Sequence, residues 1–314
     1  MHKGIVLFLD PTEPELWERL SAAGWHCRDM RTDEREAVFS ALPQAAGVVI
    51  RSRFKIDKSF IDAAVQLKFI ARSGVGVEHI DLAYAASKGI EVITSPEGSR
   101  DTVGEHTVGL LLMLMNNLAR ADREVRQGLW IRGGNRGYEI KGKTVGIIGY
   151  GNMGTAFAQR LSGFGCRIIA YDKFITGFGT DKVEEVSLPQ LQQEADIVSL
   201  HIPYLPANHH FANAAFFHAF RKPIWIINTA RGLVLHTADL VAALQEGRVR
   251  GAALDVIEYE DQSFAHLDPQ RLPLPFQQLL DMPNVVLNPH IAGWSYEAEA
   301  GHAHVLADKI LAAY

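Results

Sequence analysis

Lys143-Thr-Val-Gly-Ile-Ile-Gly-Tyr-Gly-Asn-Met-Gly154 sets a short apolar run directly before a G-x-G-x-x-G pattern made by Gly149, Gly151 and Gly154, and a helix-period segment (155–163) follows. A strand that turns through glycines into a helix leaves few architectures open. The first glycine permits a tight turn, the second lets the backbone approach a pyrophosphate, and the third allows close helix–strand packing. The N-terminus of the helix then faces the anionic phosphates, with Asn152 and Met153 offering backbone N–H groups.

The rest of the chain repeats the strand–helix alternation. Short runs rich in Val and Ile at 4–9, 47–50, 67–71, 91–93, 144–149, 167–171, 197–200, 224–228, 251–256 and 285–287 are separated by longer helix-period segments. Runs such as Val145-Gly-Ile-Ile148 and Ile224-Trp-Ile-Ile227 stay apolar without alternating, as parallel strands covered on both faces do. The fold class is α/β, with two doubly wound, Rossmann-like parallel sheets, because 314 residues suffice for two cores. The Pro/Gly/Ser cluster Thr94-Ser-Pro-Glu-Gly98 marks a boundary. The predicted domains are 1–98 with 291–314, and 99–290. A helix apolar on nearly every face is expected to start near Asp101 as its N-cap and to be buried between domains or between subunits, with homodimerisation through the 101–118 region the simpler of the two. Prolines 269, 273 and 275 predict a loop across 259–281, and Ser295 caps a last helix.

Charge and cysteine usage narrow the function classes. Lys and Arg number 31 against 36 Asp and Glu, a net charge of −5, so nucleic acid is an unfavoured partner. Cys27 and Cys166 are too few and too far apart for a disulfide framework, and a cytoplasmic protein with reduced thiols is expected. The uncharged stretch 107–119 holds 13 residues, short of the roughly 20 that span a bilayer, so no membrane partner is expected. No metal is expected either: His302 and His304 point to different helix faces, and His209-His210 lacks acidic or cysteine companions at ligand spacing.

Asp172 ends the strand after the glycine turn, 23 residues beyond Gly149, where an acid receives the hydroxyls of an adenosine ribose. Its charge would repel a 2′-phosphate, so NAD is favoured over NADP, with Lys173 beside it as the feature pulling the other way.

Three polar residues follow strands of the same sheet at the ends where open α/β sheets bind ligands: Arg231 in Asn228-Thr-Ala-Arg-Gly232, Glu260 after Leu254-Asp-Val-Ile-Glu-Tyr, and His290 in Asn288-Pro-His-Ile-Ala-Gly293. Together with Ser73-Gly-Val-Gly76, the glycine turn and His201-Ile-Pro203, they resemble the D-isomer-specific 2-hydroxyacid dehydrogenase family over essentially the whole chain. Within it the chain looks most like a short phosphoglycerate dehydrogenase branch, the entry to serine biosynthesis, without the C-terminal regulatory domain. The resemblance implies a cleft between the two domains and NAD-dependent hydride transfer between a D-2-hydroxy acid and its 2-keto acid. The chemistry agrees: reduction builds negative charge on a carbonyl oxygen, which His290 would protonate. Glu260 beside the imidazole would stabilise its charged form, and the planar fork of Arg231 would grip the substrate carboxylate. Carried over from the family, Asp255 contacts the nicotinamide carboxamide, His201, Pro203, Thr229, Ala230 and Gly293 line the cofactor cleft, and Ser73, Gly74, Val75 and Gly76 offer N–H groups to the substrate carboxylate.

Arg51, Ser52 and Arg53, after the strand 47–50, offer two guanidiniums and a hydroxyl that suit a phosphate, which favours D-3-phosphoglycerate. Asp261 after Glu260, where relatives usually carry Pro, and Tyr204-Leu-Pro-Ala-Asn208, which lacks the relatives' threonines, depart from the pattern. A reductase of hydroxypyruvate or glyoxylate is therefore the alternative enzyme, and a corepressor-like NAD(H)-binding protein that recruits partners is the alternative of another class.

Overall fold

The computed structural model describes residues 3–260 and 272–314. They fall into two compact units, Met1–Arg100 with Trp294–Tyr314, and Asp101–Gly293.

The first unit carries β1 (Ile5–Phe8), β2 (His26–Asp29), β3 (Ala45–Ile50), β4 (Phe69–Arg72) and β5 (Glu91–Thr94) in the order β2-β1-β3-β4-β5. Every pair is parallel, with Val6 opposite Cys27 and Gly47, and Ile70 opposite Val48 and Val92. β3 is buried at each position, as a central strand covered on both faces must be. Val48 and Ile50 enter one hydrophobic cluster, while Val49 enters another with Leu306 and Ile310 of the C-terminal helix Tyr296–Ala313. That helix starts where Ser295 Oγ accepts the Ala298 N–H at 3.0 Å. β2 escaped the sequence reading because His-Cys-Arg-Asp forms an edge strand without apolar periodicity. Strand order reverses between β1 and β3, so Asp10 and the segment 51–53 follow the two strands that flank the switch point.

The second unit carries β6 (Thr144–Ile148), β7 (Arg167–Tyr171), β8 (Glu184–Glu185), β9 (Ile197–Leu200), β10 (Ile224–Asn228), β11 (Val249–Leu254) and β12 (Val285–Leu287) in the order β12-β11-β10-β9-β6-β7-β8, again all parallel. Pleating splits β10 between two cores: Ile224 and Ile226 enter one, Trp225 and Ile227 the other. Burying one such side chain stabilises the fold by about 1.5–3 kcal/mol. The switch point lies between β6 and β9, and the glycine turn leaves β6 there.

Two local expectations change. The long helix runs Pro96–Met115, beginning before Asp101, because proline suits a helix's first turn. The Asp101 carboxylate instead accepts from Arg160 Nη2 at 2.8 Å, and Leu110, Leu111, Leu114 and Met115 carry the buried face. Within the expected 259–281 loop, Leu274–Asp281 is a helix that buries Phe276 and Leu279, with Pro275 in its first turn. Asp261, His266 and Pro269 lie outside the described residues. Among the described residues no helix is long and apolar enough to cross a membrane.

Candidate active site

The glycine turn is explained by its neighbours at two positions and not at the third. Gly149 has φ +93°, and a Cβ there would lie 2.6 Å from His201 O. A Cβ on Gly154 would lie 2.0 Å from Gly149 O, so only glycine lets the helix Asn152–Leu161 pack this closely on the turn. At Gly151 a Cβ would meet nothing within 4 Å. Among the described residues the N–H groups of Gly151, Asn152 and Met153 have no acceptor, so this open cradle at a helix N-terminus fits a pyrophosphate.

Asp172 sits at the end of β7. Its Oδ2 accepts the Tyr150 N–H at 2.8 Å, and its Oδ1 accepts those of Phe174 and Ile175 at 2.8 and 3.0 Å. Burial pulls this carboxyl upward, but the three backbone donors outweigh it and hold it below the usual carboxylate value. The fixed negative charge fits ribose hydroxyls and opposes a 2′-phosphate. His201 is half-buried; the surrounding protein pushes its imidazole down to about 3, so it stays neutral, with Nε2 2.8 Å from Ser199 Oγ. Asn208 Nδ2 donates to Pro203 O at 2.8 Å, and Thr229 Oγ1 lies 3.2 Å from Thr107 Oγ1.

Asp255, buried after β11, organises the segment that carries His290. Its two oxygens accept the N–H groups of Ile291 and Ala292 at 2.9 and 2.8 Å, its carbonyl accepts the His290 N–H at 2.7 Å, and its own N–H donates to Asn228 O at 3.0 Å. His106 Nε2 approaches at 3.5 Å. Burial raises this carboxyl, yet His106 and the two amides win and lower it. The turn thus braced holds His290 at φ +57°, a conformation uncommon for a non-glycine residue and concentrated at functional sites. Its Nδ1 lies 2.9 Å from Glu260 Oε2.

Arg231 follows β10 in a turn fixed by buried Asn228, whose Oδ1 accepts the Ala230 N–H and whose Nδ2 donates to Arg231 O, both at 3.0 Å. Arg231 Nη1 donates to Ala230 O at 2.7 Å. A Cβ on Gly232 would lie 1.9 Å from Ile257 O, so glycine is what allows this turn to rest on the segment leading to Glu260.

In the first unit Ser73 donates its N–H to Ile50 O at 2.8 Å, and Gly74, at φ +134°, donates to Ser95 Oγ at 3.1 Å. Among the described residues the N–H groups of Val75 and Gly76 take no acceptor, which keeps them available for an anion. A Cβ on Gly74 would lie 1.3 Å from Arg72 Nη1, so the missing side chain makes room for a guanidinium. Arg51, Ser52 and Arg53 are arranged differently from one another. All three donate their N–H groups to Asp10 Oδ2, at 2.6, 3.0 and 3.2 Å. The Arg53 guanidinium donates to the carbonyls of Leu9, Met30 and Arg31 at 3.2, 2.8 and 2.7 Å and to that of Asp33. Arg51 lies over the Trp294 ring at 4.8 Å, with Glu299 Oε1 3.3 Å from its Nη1.

Residues 108–292 match the D-isomer specific 2-hydroxyacid dehydrogenase, NAD binding domain, family. The chain belongs to the D-isomer specific 2-hydroxyacid dehydrogenases. Its second unit is accordingly an NAD-binding domain. The D-3-phosphoglycerate dehydrogenase of Archaeoglobus fulgidus is 32% identical over 98% of this chain, which spans 56% of that relative's length. The hydroxypyruvate reductase of Thermotoga maritima is 36% identical over 88% of this chain and 87% of its own. A solved D-lactate dehydrogenase from Aquifex aeolicus, complexed with NAD and lactic acid, has a TM-score of 0.80 at 27% identity, covering 98% of this chain and 94% of that one.

Several polar contacts of this family member were not foreseen from the sequence. His106 sits in an apolar helix, which is the one signal that marks it, and it lies 3.1 Å from Asn288 Nδ2 as well as near Asp255. Ser95 joins Gly74 to His302, whose Nδ1 is 2.9 Å from Ser95 Oγ. His210, which lacks acidic companions in sequence, has one in space: its Nε2 lies 2.8 Å from Glu258 Oε1.

Proposed function

We propose that the protein interconverts a D-2-hydroxy acid and its 2-keto acid with NAD as the hydride carrier. The observation that carries this reading is the 2.9 Å pairing of Glu260 with His290 Nδ1 on the Asp255-braced turn. Bound NAD supplies hydride acceptance and donation at its nicotinamide ring. Glu260 holds Nδ1, so proton exchange with the substrate oxygen runs through Nε2 of His290. In the reducing direction that proton neutralises the oxygen as the carbonyl carbon gains hydride; in the oxidising direction the imidazole takes it back. Arg231 binds and orients the carboxylate beside the reacting carbonyl. Gly151, Asn152 and Met153 take the pyrophosphate and Asp172 the ribose, while His201, Pro203, Thr229, Ala230, Asp255 and Gly293 shape the nicotinamide side. Ser73, Gly74, Val75 and Gly76 contribute an anion-binding loop in the first unit.

A small unphosphorylated keto acid of the hydroxypyruvate or glyoxylate kind fits the side chains best, because Arg53 spends its guanidinium on four backbone carbonyls. D-3-phosphoglycerate is the second reading, favoured by Arg51, whose guanidinium among the described residues carries a stacked ring and one long ion pair. Loss of NADH absorbance with hydroxypyruvate, glyoxylate, pyruvate and 3-phosphohydroxypyruvate tests both readings. Preference for an unphosphorylated acid is expected; a strong preference for the phosphorylated one replaces it with the second reading, and NADH binding without turnover of any acid overturns the enzymatic assignment. The protein would work in the cytoplasm as a homodimer whose contact runs on from the 101–118 region, since Leu118, Leu129, Trp130 and Ile131 expose apolar surface.

A further inference from the structure

His210, His236 and Glu258 come from three separate segments and converge at one point of the second unit. A parallel bridge between Ala212 and Leu235 lays residues 210–212 along 233–236: His210 N donates to Leu233 O at 2.9 Å and His236 N to Ala212 O at 3.1 Å. The two imidazoles then sit with ring centroids 4.4 Å apart. Glu258 completes the group, with Oε1 2.8 Å from His210 Nε2. One potential ligand atom from each residue lies within 4.8 Å of the others.

We propose that these three residues bind a first-row divalent cation of the zinc(II) class. Two imidazoles and one carboxylate are a donor set that zinc accepts at about 2.0–2.2 Å per ligand, leaving a fourth position for water. Donors at that distance from one tetrahedral ion lie about 3.3–3.5 Å apart, so binding requires the three atoms, now within 4.8 Å of one another, to close together.

The supporting contacts are those a ligand set needs. His236 Nδ1 is paired with Asp239 Oδ2 at 2.9 Å, and the same oxygen accepts the Ala214 N–H at 2.7 Å. That pairing fixes the ring and assigns Nε2 to the ion, the carboxylate–histidine arrangement found behind metal-bound imidazoles. The oxygens of Glu258 have separate tasks: Oε2 accepts the Thr237 N–H at 2.9 Å, so Oε1 is held toward the histidines. His210 sits at φ +50° with the His209 ring stacked on it at 3.8 Å, so a strained backbone and a neighbouring ring hold its imidazole in place. The side chains of His210, His236 and Glu258 are 26%, 34% and 13% exposed, open enough for an ion to enter from solvent.

The test is calorimetric titration of the full chain, stripped of metal by a chelator, with zinc chloride. One equivalent per chain is expected, and His236→Ala and Glu258→Gln should each weaken uptake about tenfold or more. His304→Ala, at an exposed histidine of the first unit, should leave uptake unchanged. NADH binding reports whether each variant is folded. A second measurement on the unmutated chain uses diethyl pyrocarbonate: zinc should slow modification of His210 and His236 but not of His304. No saturable uptake, uptake indifferent to His236→Ala, or zinc protection confined to other histidines overturns the proposal.

Discussion

Replacing Gly151 and Gly154 by alanine, one at a time, should separate what the fold requires from what the cofactor requires. At Gly154 the new Cβ would lie 2.0 Å from Gly149 O, far inside the 3.4 Å at which ordinary contact begins. Backbone atoms cannot rotate away, so helix and turn must part, at about 1–3 kcal/mol. At roughly 2–4 °C per kcal/mol for a unit of this size, the melting point should drop measurably. Gly151, at φ −82° and ψ −152°, occupies a conformation open to any residue, and its Cβ would meet nothing within 4 Å. There alanine should leave stability unchanged or raise it by about 0.4–1 kcal/mol, through a less flexible unfolded chain. Yet it should weaken NADH binding by about tenfold or more, about 1.4 kcal/mol, because the methyl group stands where the pyrophosphate approaches. Thermal unfolding of the cofactor-free protein and fluorescence titration with NADH read the two effects. Gly151→Ala binding NADH as tightly as the unmutated chain would refute the cradle; equal melting losses in both variants would refute the packing argument.

Acid should destabilise the second unit through Asp172 and Asp255. Both carboxyls are held below their unfolded value of about 3.9, so their stabilisation is complete above that pH and drains as pH falls through the lowered native values. Urea midpoints measured across that range should fall; Asp255→Asn, which turns an NH₂ toward a backbone donor, should cost about 1–3 kcal/mol at neutral pH, and an unchanged midpoint contradicts the bracing role. Asp172→Ala should narrow the preference for NADH over NADPH in kcat/KM, and a preserved ratio would place the discrimination elsewhere. Arg53→Ala should lower the melting point, since it removes the clamp on four carbonyls, whereas Arg51→Ala should leave stability nearly unchanged. If D-3-phosphoglycerate is the substrate, Arg51→Ala raises its KM selectively.

Local patterns were legible in the sequence, and through-space pairings were not. Ile224-Trp-Ile-Ile227 announces a strand buried on both faces because both neighbouring cores need apolar residues there. β2 and the two-residue β8 carry no such pattern, since edge strands bury little. Prolines misled twice, at Pro96 and Pro275, because the residue that ends a helix also fits its first turn. Gly98, which reads as loop, lies inside the Pro96–Met115 helix; a Cβ there would come 2.5 Å from His302 N, so the close approach of the C-terminal helix, not a turn, accounts for the glycine. In the site, the glycine turn and its helix are contiguous and so visible in advance. The capture of the 51–53 amides by Asp10, the bracing of the His290 turn by Asp255, and the meeting of His210 with Glu258 join residues tens of positions apart. Residue spacing carries no trace of them.

Hydride transfer to a 2-keto acid with His290 as the proton donor has a direct readout. Incubating the protein with NADH deuterated at both C4 positions and with hydroxypyruvate or 3-phosphohydroxypyruvate, then analysing the product by NMR, tests it directly. One deuteron is expected at C2 of a D-configured hydroxy acid, with a rate about 10²–10⁴-fold lower in His290→Gln and NADH binding retained. NADH bound but no deuteron transferred, or a His290→Gln protein as fast as the unmutated one, would contradict it.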